Sequence, residues 1–166
     1  MLFMKKQSWF TKFKELFSWL IIVVAVLFLL SLFVFKDKLN NFASQIMVSQ
    51  ADTNLVKRES ANIESKFNYI ENKKDYKLTF LEFGAKNCSA CKRMEVVMKE
   101  VSLLYENVVN VVFLNIMLPE SQDLMKYYGI VSIPTQVILG RDGKEIFRHN
   151  GFYSTEDLKI VFDKNI

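Results

Sequence analysis

The sequence predicts an α/β domain with a mixed central sheet flanked by helices, preceded by one N-terminal transmembrane helix. Three observations carry this. An uncharged apolar run occupies residues 16–35. Beyond residue 60, short runs rich in β-branched and aromatic residues alternate with helically spaced apolar positions. An Asp-Gly turn joins the last two of those runs, which adds a hairpin to a βαβ unit.

The elements follow in chain order. Residues 1–15 form a basic N-terminus, with Lys5, Lys6, Lys12 and Lys14 against Glu15. The rest of the chain carries 18 basic and 17 acidic residues, too near neutral for a nucleic-acid footprint. Residues 16–35, "LFSWLIIVVAVLFLLSLFVF", are 20 positions with no charge and two serines. A helix of that length spans roughly 30 Å, the thickness of a bilayer core. A signal peptide has a shorter apolar region and a small-residue cleavage site close behind. Here Lys36, Asp37 and Lys38 follow, and the nearest small-x-small stretch is Ser49-Gln50-Ala51. The segment therefore reads as an uncleaved anchor. Four lysines before it and two after it place the N-terminus in the cytoplasm and the C-terminal domain outside. Trp9, Phe10, Phe13, Leu16 and Phe17 share one helical face, as in a helix that begins in the membrane interface.

Residues 36–59 are polar with scattered apolar positions and read as a linker or stalk. The domain proper is expected over residues 60–166, enough for one small core. Ile63, Phe67 and Ile70 give a helix over about 60–72, and "YKLTFLEFG" (76–84) a strand. Met94, Val97, Met98, Val101 and Leu104 line one face of a helix over about 89–106. "NVVNVVFLNIM" (107–117) is a near-continuous apolar run, as expected of a strand buried on both faces. A short helix over 120–128, a strand over 134–140 and a returning strand over 145–150 follow. Ser154 or Thr155 caps a final helix, with Glu156 and Asp157 in its first turn. The order is αβαβαββα.

The chemistry lies in "LEFGAKNCSACKRM" (81–94), which holds both cysteines, Cys88 and Cys91. A zinc site needs four ligands, and the chain adds only His149, on a distant strand and more simply a sheet-face residue. A disulfide closing so small a loop constrains little of the unfolded chain, so a purely structural staple is a poor reading. A redox pair has a physical basis. The pair follows a strand and opens a helix, where backbone N–H groups and the helix dipole favour a thiolate. Cys88 is then the exposed nucleophile and Cys91, one turn in, the more buried partner. Lys86 and Lys92 add positive charge, or are ordinary solvated side chains.

Residues 78–155 resemble the thioredoxin superfamily in several motifs and in order. "LEFGAKNCSACKRM" is similar to its strand, active-site loop and helix, and "VVFLNIM" to its central strand. "YGIVSIPTQVIL" resembles its cis-proline segment, and "GRDGKEIFRHNGFYSTEDL" its final hairpin, glycine and helix. The resemblance implies that Cys88 attacks and Cys91 resolves. It implies that Pro134 is a cis-proline, that Ile133 offers backbone hydrogen bonds to substrate, and that Gly151 lets a substrate chain approach. Glu82 falls where the family carries a buried acid that relays a proton from Cys91; the alternative is an outward, solvated Glu82. The chain departs from the family at Asn87, where tryptophan is common, at Ser89-Ala90, where Gly-Pro is usual, and at Met117, where many members carry an acid.

The expected function is a membrane-anchored thiol–disulfide oxidoreductase acting on disulfide-containing proteins outside the cytoplasm, re-reduced by a membrane electron-donor protein. The thiols carry the chemistry, so no cofactor is implied. A disulfide oxidant or isomerase of the same fold, and a non-catalytic docking module, are the alternatives. The absence of a histidine between the cysteines favours the reductant.

Overall fold

The computed structural model describes the backbone of residues 2–166 and the side chains of residues 15–166 apart from that of Asp37. It falls into two units, residues 1–39 and 40–166.

Helix α1 runs Leu2–Val34. Its stretch Glu15–Val34 is long and apolar enough to cross a membrane, with mean hydropathy 2.9 and none of it buried. The interfacial face expected at Trp9, Phe10 and Phe13 lies outside the described side chains. The linker read over residues 36–59 is instead helical: α2 spans Lys36–Ser49 and α3 spans Thr53–Phe67. Asp52 caps α3, its carboxylate accepting from the Asn54 N–H. The C-terminal part of α2 belongs to the second unit and packs closely on it. At Gly129 (φ +60°), a Cβ would stand 2.6 Å from the Ser44 carbonyl and 2.7 Å from Val48. Glycine permits both that left-handed backbone and that approach.

The second unit carries the expected order: β1 Leu78–Gly84, α4 Ser89–Leu104, β2 Val109–Asn115, α5 Pro119–Tyr127, β3 Thr135–Leu139, β4 Glu145–Asn150 and α6 Thr155–Asn165. The sheet order is β2-β1-β3-β4. β1 and β2 are parallel, while β3 is antiparallel to both β1 and β4. Every residue of β1 is buried, because it lies between two strands and between two helical layers. Leu81, Phe83, Val137 and Leu139 face Ile63 and Phe67 of α3 and Leu124 of α5. Phe80, Ile138 and Val109 face Met94, Val97 and Val101 of α4 and Leu158 and Phe162 of α6. The two periodicities, two in strands and 3.6 in helices, select these faces.

A second expectation is corrected. The apolar run 107–117 is neither central nor buried on both faces; β2 is an edge strand, and only Val109 and Asn115 of it are buried. Strand β1 takes the central place. Gly143 (φ +75°) supports the β3–β4 turn, where the Gly140 N–H donates to the Lys144 carbonyl at 2.8 Å. Ser154 caps α6 by accepting from the Asp157 N–H at 3.1 Å.

Candidate active site

The sheet topology gathers the site at one end. β1 and β2 end there, β3 starts there and β4 ends there. β1 finishes at Gly84, and after Lys86 and Asn87, both exposed, the chain turns into α4. Cys88 is the N-cap of α4, with extended backbone (φ −92°, ψ 119°). Its sulfur accepts the Cys91 N–H at 3.1 Å. This N–H is one of the unpaired donors of a helix's first turn, and an anionic sulfur there is favoured by it and by the dipole. Cys88 is half-buried, whereas Cys91 is 1% exposed. The two are joined as a disulfide, with Cα atoms 5.2 Å apart.

Gly84 makes room for the inner cysteine. A Cβ there would lie 3.5 Å from the Cys91 sulfur and 2.9 Å from the Phe113 ring. Cys91 thus sits over the end of β1, flanked by Phe113 of β2. On the β3 side the Ile133–Pro134 peptide is cis. Phe83 is registered with Thr135, so Pro134 comes beside Gly84. The Pro134 carbonyl accepts from the Gly151 N–H at 2.7 Å, and Gly151 has φ +100° with nothing within 4 Å of a Cβ placed on it. Among the described residues, no hydrogen-bond partner takes the Ile133 backbone groups. The structure therefore brings Cys88, Cys91, Ile133, Pro134 and Gly151 to one end of the sheet.

Glu82 is two residues before Gly84 on the same face of β1, beneath Cys91, and its exposure is 0%. It does not point outward. Burial pushes its carboxyl up to about 8, against the lowering pull of a hydrogen bond from Gln136. At neutral pH the acid therefore holds a proton that a small shift in conditions can remove. Gln136, also 0% exposed, belongs to no motif of the sequence; its Nε2 donates to Glu82 Oε2 at 3.0 Å. A glutamine in a strand as apolar as "PTQVIL" needs an internal partner once that strand is buried. His149 lies opposite Gln136 in β4, half-buried, with its ring 4.3 Å from that of Tyr153. Among the described residues no cluster of metal-binding side chains occurs.

Exposed apolar residues surround this end of the sheet: Met117 and Leu118 after β2, Val131 before the cis-proline and Phe152 after β4. Arg93 of α4 lies over the Phe152 ring at 5.3 Å.

The family model for thioredoxin-like domains matches residues 64–166. Thioredoxin of Staphylococcus aureus strain N315 is 27% identical over 97 residues, which cover 58% of this chain and 90% of the relative. A solved malarial protein superposes with a TM-score of 0.50 at 22% identity, covering 54% of this chain and 98% of its own. The germline-specific thioredoxin Deadhead of Drosophila melanogaster gives a TM-score of 0.49 at 28% identity, covering 58% and 88%. The chain belongs to the thioredoxin-like family and carries that family's thiol–disulfide oxidoreductase type of site, a Cys-x-x-Cys pair at Cys88 and Cys91.

Proposed function

We propose that this chain is a membrane-anchored thiol–disulfide oxidoreductase that reduces disulfides of proteins outside the cytoplasm. The observation that carries the reading is the unequal placement of the two cysteines. Cys88, half-buried at the α4 N-terminus, is within reach of a substrate, and Cys91, 1% exposed beneath it, is within reach of Cys88 alone. The Cys88 thiolate attacks a substrate disulfide and forms a mixed disulfide, releasing one substrate thiolate. In the fraction of molecules whose Glu82 is ionised, its carboxylate takes the proton from the Cys91 thiol. The Cys91 thiolate then attacks Cys88, releasing the second substrate thiolate and leaving Cys88–Cys91 oxidised. Two electrons pass from the dithiol to the substrate.

A protein substrate suits the surroundings. The apolar rim of Met117, Leu118, Val131 and Phe152 offers contact area. The backbone groups of Ile133 and the open approach at Gly151 suit an extended segment. The apolar Glu15–Val34 helix is the proposed anchor, with its lysine-rich N-terminal flank in the cytoplasm. A domain outside the cytoplasm needs its electrons delivered through the membrane, so a membrane electron-donor protein of the thiol-reductant conduit type is the proposed partner.

Trapping tests the reading. With Cys91→Ala, resolution cannot occur, and cells expressing the full chain accumulate mixed disulfides through Cys88 that dithiothreitol releases. The double variant Cys88→Ser/Cys91→Ala accumulates none. If Cys91→Ala also accumulates none, the domain docks without thiol exchange and the proposal fails.

A further inference from the structure

Glu82 and Gln136 form an isolated polar pair in an apolar core. They are registered opposite each other on β1 and β3, and each is 0% exposed. One contact joins them, Gln136 Nε2 to Glu82 Oε2 at 3.0 Å. The remaining oxygen of each, Glu82 Oε1 and Gln136 Oε1, is buried with no hydrogen-bond partner among the described residues. Two orphaned acceptors so near each other are costly, and native interiors rarely keep them. A carboxylate and an amide oxygen cannot satisfy one another, but a carboxylic acid and an amide oxygen can. The terminal torsions of Glu and Gln are soft, so a small rotation closes the second contact.

We infer that Gln136 is the positioning residue for the proton on Glu82, donating through Nε2 to Oε2 and accepting the acid proton from Oε1 when Glu82 is neutral. The inference rests on the reading of Glu82 as proton acceptor for Cys91 and names the group that makes that role workable. In the neutral state one proton satisfies both orphaned oxygens. In the ionised state the Gln136 N–H is the carboxylate's donor. The pair therefore serves Glu82 in both states, in the same strand that begins beside the cis-proline. Cys91 giving its proton to Glu82 closes the pair; return of the proton to a thiolate opens it.

The surroundings contain few competing groups. Phe113 stands opposite Glu82 on β2, and Cys91 is the ionisable group above it on α4. On β4, His149 is opposite Gln136, with Tyr153 stacked on it. Among the described residues, these contacts set His149, Tyr153 and, once the disulfide is reduced, Cys91 beside the pair as titratable groups.

The test follows the Glu82 carboxyl by infrared difference spectroscopy as the oxidised full chain in detergent micelles is titrated, with Glu82→Gln identifying its band. Gln136→Met keeps the side-chain volume and removes both amide functions. It is expected to raise the titration midpoint by about one pH unit or more, an acid about tenfold weaker, because a buried carboxylate left without any donor costs more than the neutral bonds that the acid loses. The acid C=O band moves to higher frequency as its hydrogen bonds are lost. The pH at which Cys91 resolves a mixed disulfide at half-maximal rate rises with the midpoint, and Gln136→Met has no such effect in a Glu82→Gln background. An unchanged midpoint and band in Gln136→Met overturn the inference. If that variant does not fold, the side-chain amide resonances of Gln136 in the unsubstituted protein decide. They shift with the Glu82 midpoint if the inference holds and stay fixed if it does not. Failure of the chain to reduce insulin disulfides at any pH overturns the reductase reading, while the titration still decides the role of Gln136.

Discussion

Replacing Glu82 by glutamine should make the domain more stable at pH 9 by about 3–5 kcal/mol and leave it nearly unchanged at pH 4. The sign follows from proton counting. In the folded domain burial raises the carboxyl from 4.5 to about 8. The unfolded chain releases this proton near the ordinary glutamate value, so between those two pH values the folded state binds more protons. Stability then falls as pH rises, by up to about 1.4 kcal/mol per pH unit. The loss begins above the unfolded value and is complete once the folded carboxyl has ionised. The rise from 4.5 to about 8 corresponds to about 5 kcal/mol at most, and relaxation or water entry reduces it. Glutamine removes the charge and keeps the volume, and its amide can still pair with Gln136. Urea unfolding of the oxidised full chain in micelles, followed by near-ultraviolet circular dichroism at both pH values, checks this. Parallel stability profiles for the two proteins would contradict the burial account. The stabilised variant should also resolve mixed disulfides more slowly at neutral pH. The proton transfer proposed between Cys91 and Glu82 would account for a buried acid that weakens the fold.

Cys88→Ser should abolish disulfide reduction, lowering insulin reduction to the rate of dithiothreitol alone, while unfolding stability in the reduced state stays within about 1 kcal/mol of the parent. The contrast comes from the two roles of one position. As N-cap of α4, Cys88 accepts the Cys91 N–H through its sulfur at 3.1 Å. Serine is among the preferred N-cap residues and its Oγ can accept that N–H, so the helix start is kept. The hydroxyl cannot provide a thiolate and does not attack a disulfide sulfur at useful rates. Cys88→Ala loses the cap as well, so its stability should drop further by about 1 kcal/mol with the same loss of turnover. Comparing the two variants by turnover and by urea unfolding separates the cap from the nucleophile. Residual turnover in Cys88→Ser would assign attack to Cys91, against its 1% exposure.

Much of this site can be read from the sequence because its parts are local signals. The strand–CxxC–helix order places both cysteines at a helix N-terminus, and the heptad-like spacing of Met94, Val97 and Val101 gives the face that buries Cys91. The Asp-Gly turn and the Ser154 cap are similarly local. What was less legible depends on tertiary contacts. The helicity of residues 36–59 escapes because the apolar positions Leu39, Phe42, Ile46 and Val48 are largely exposed and follow no buried stripe. Ser44 and Val48 are fixed by packing on Gly129, which no local pattern encodes. The run "VVNVVFLNIM" is apolar enough for a central strand, yet strand order leaves β2 at the edge. Gln136 is the clearest case. Its strand marks it as a glutamine in need of an internal partner, but only the β1–β3 register shows that the partner is Glu82.

Cys88 and Cys91 are proposed to donate electrons to substrates. The most direct test is the reduction potential of the full chain in detergent micelles, equilibrated in thiol–disulfide buffers and read by alkylation of the free thiols. The expected value is about −270 mV, that of reducing thioredoxins. A value near about −120 mV, that of a strong oxidant, would contradict it and reverse the direction of electron flow.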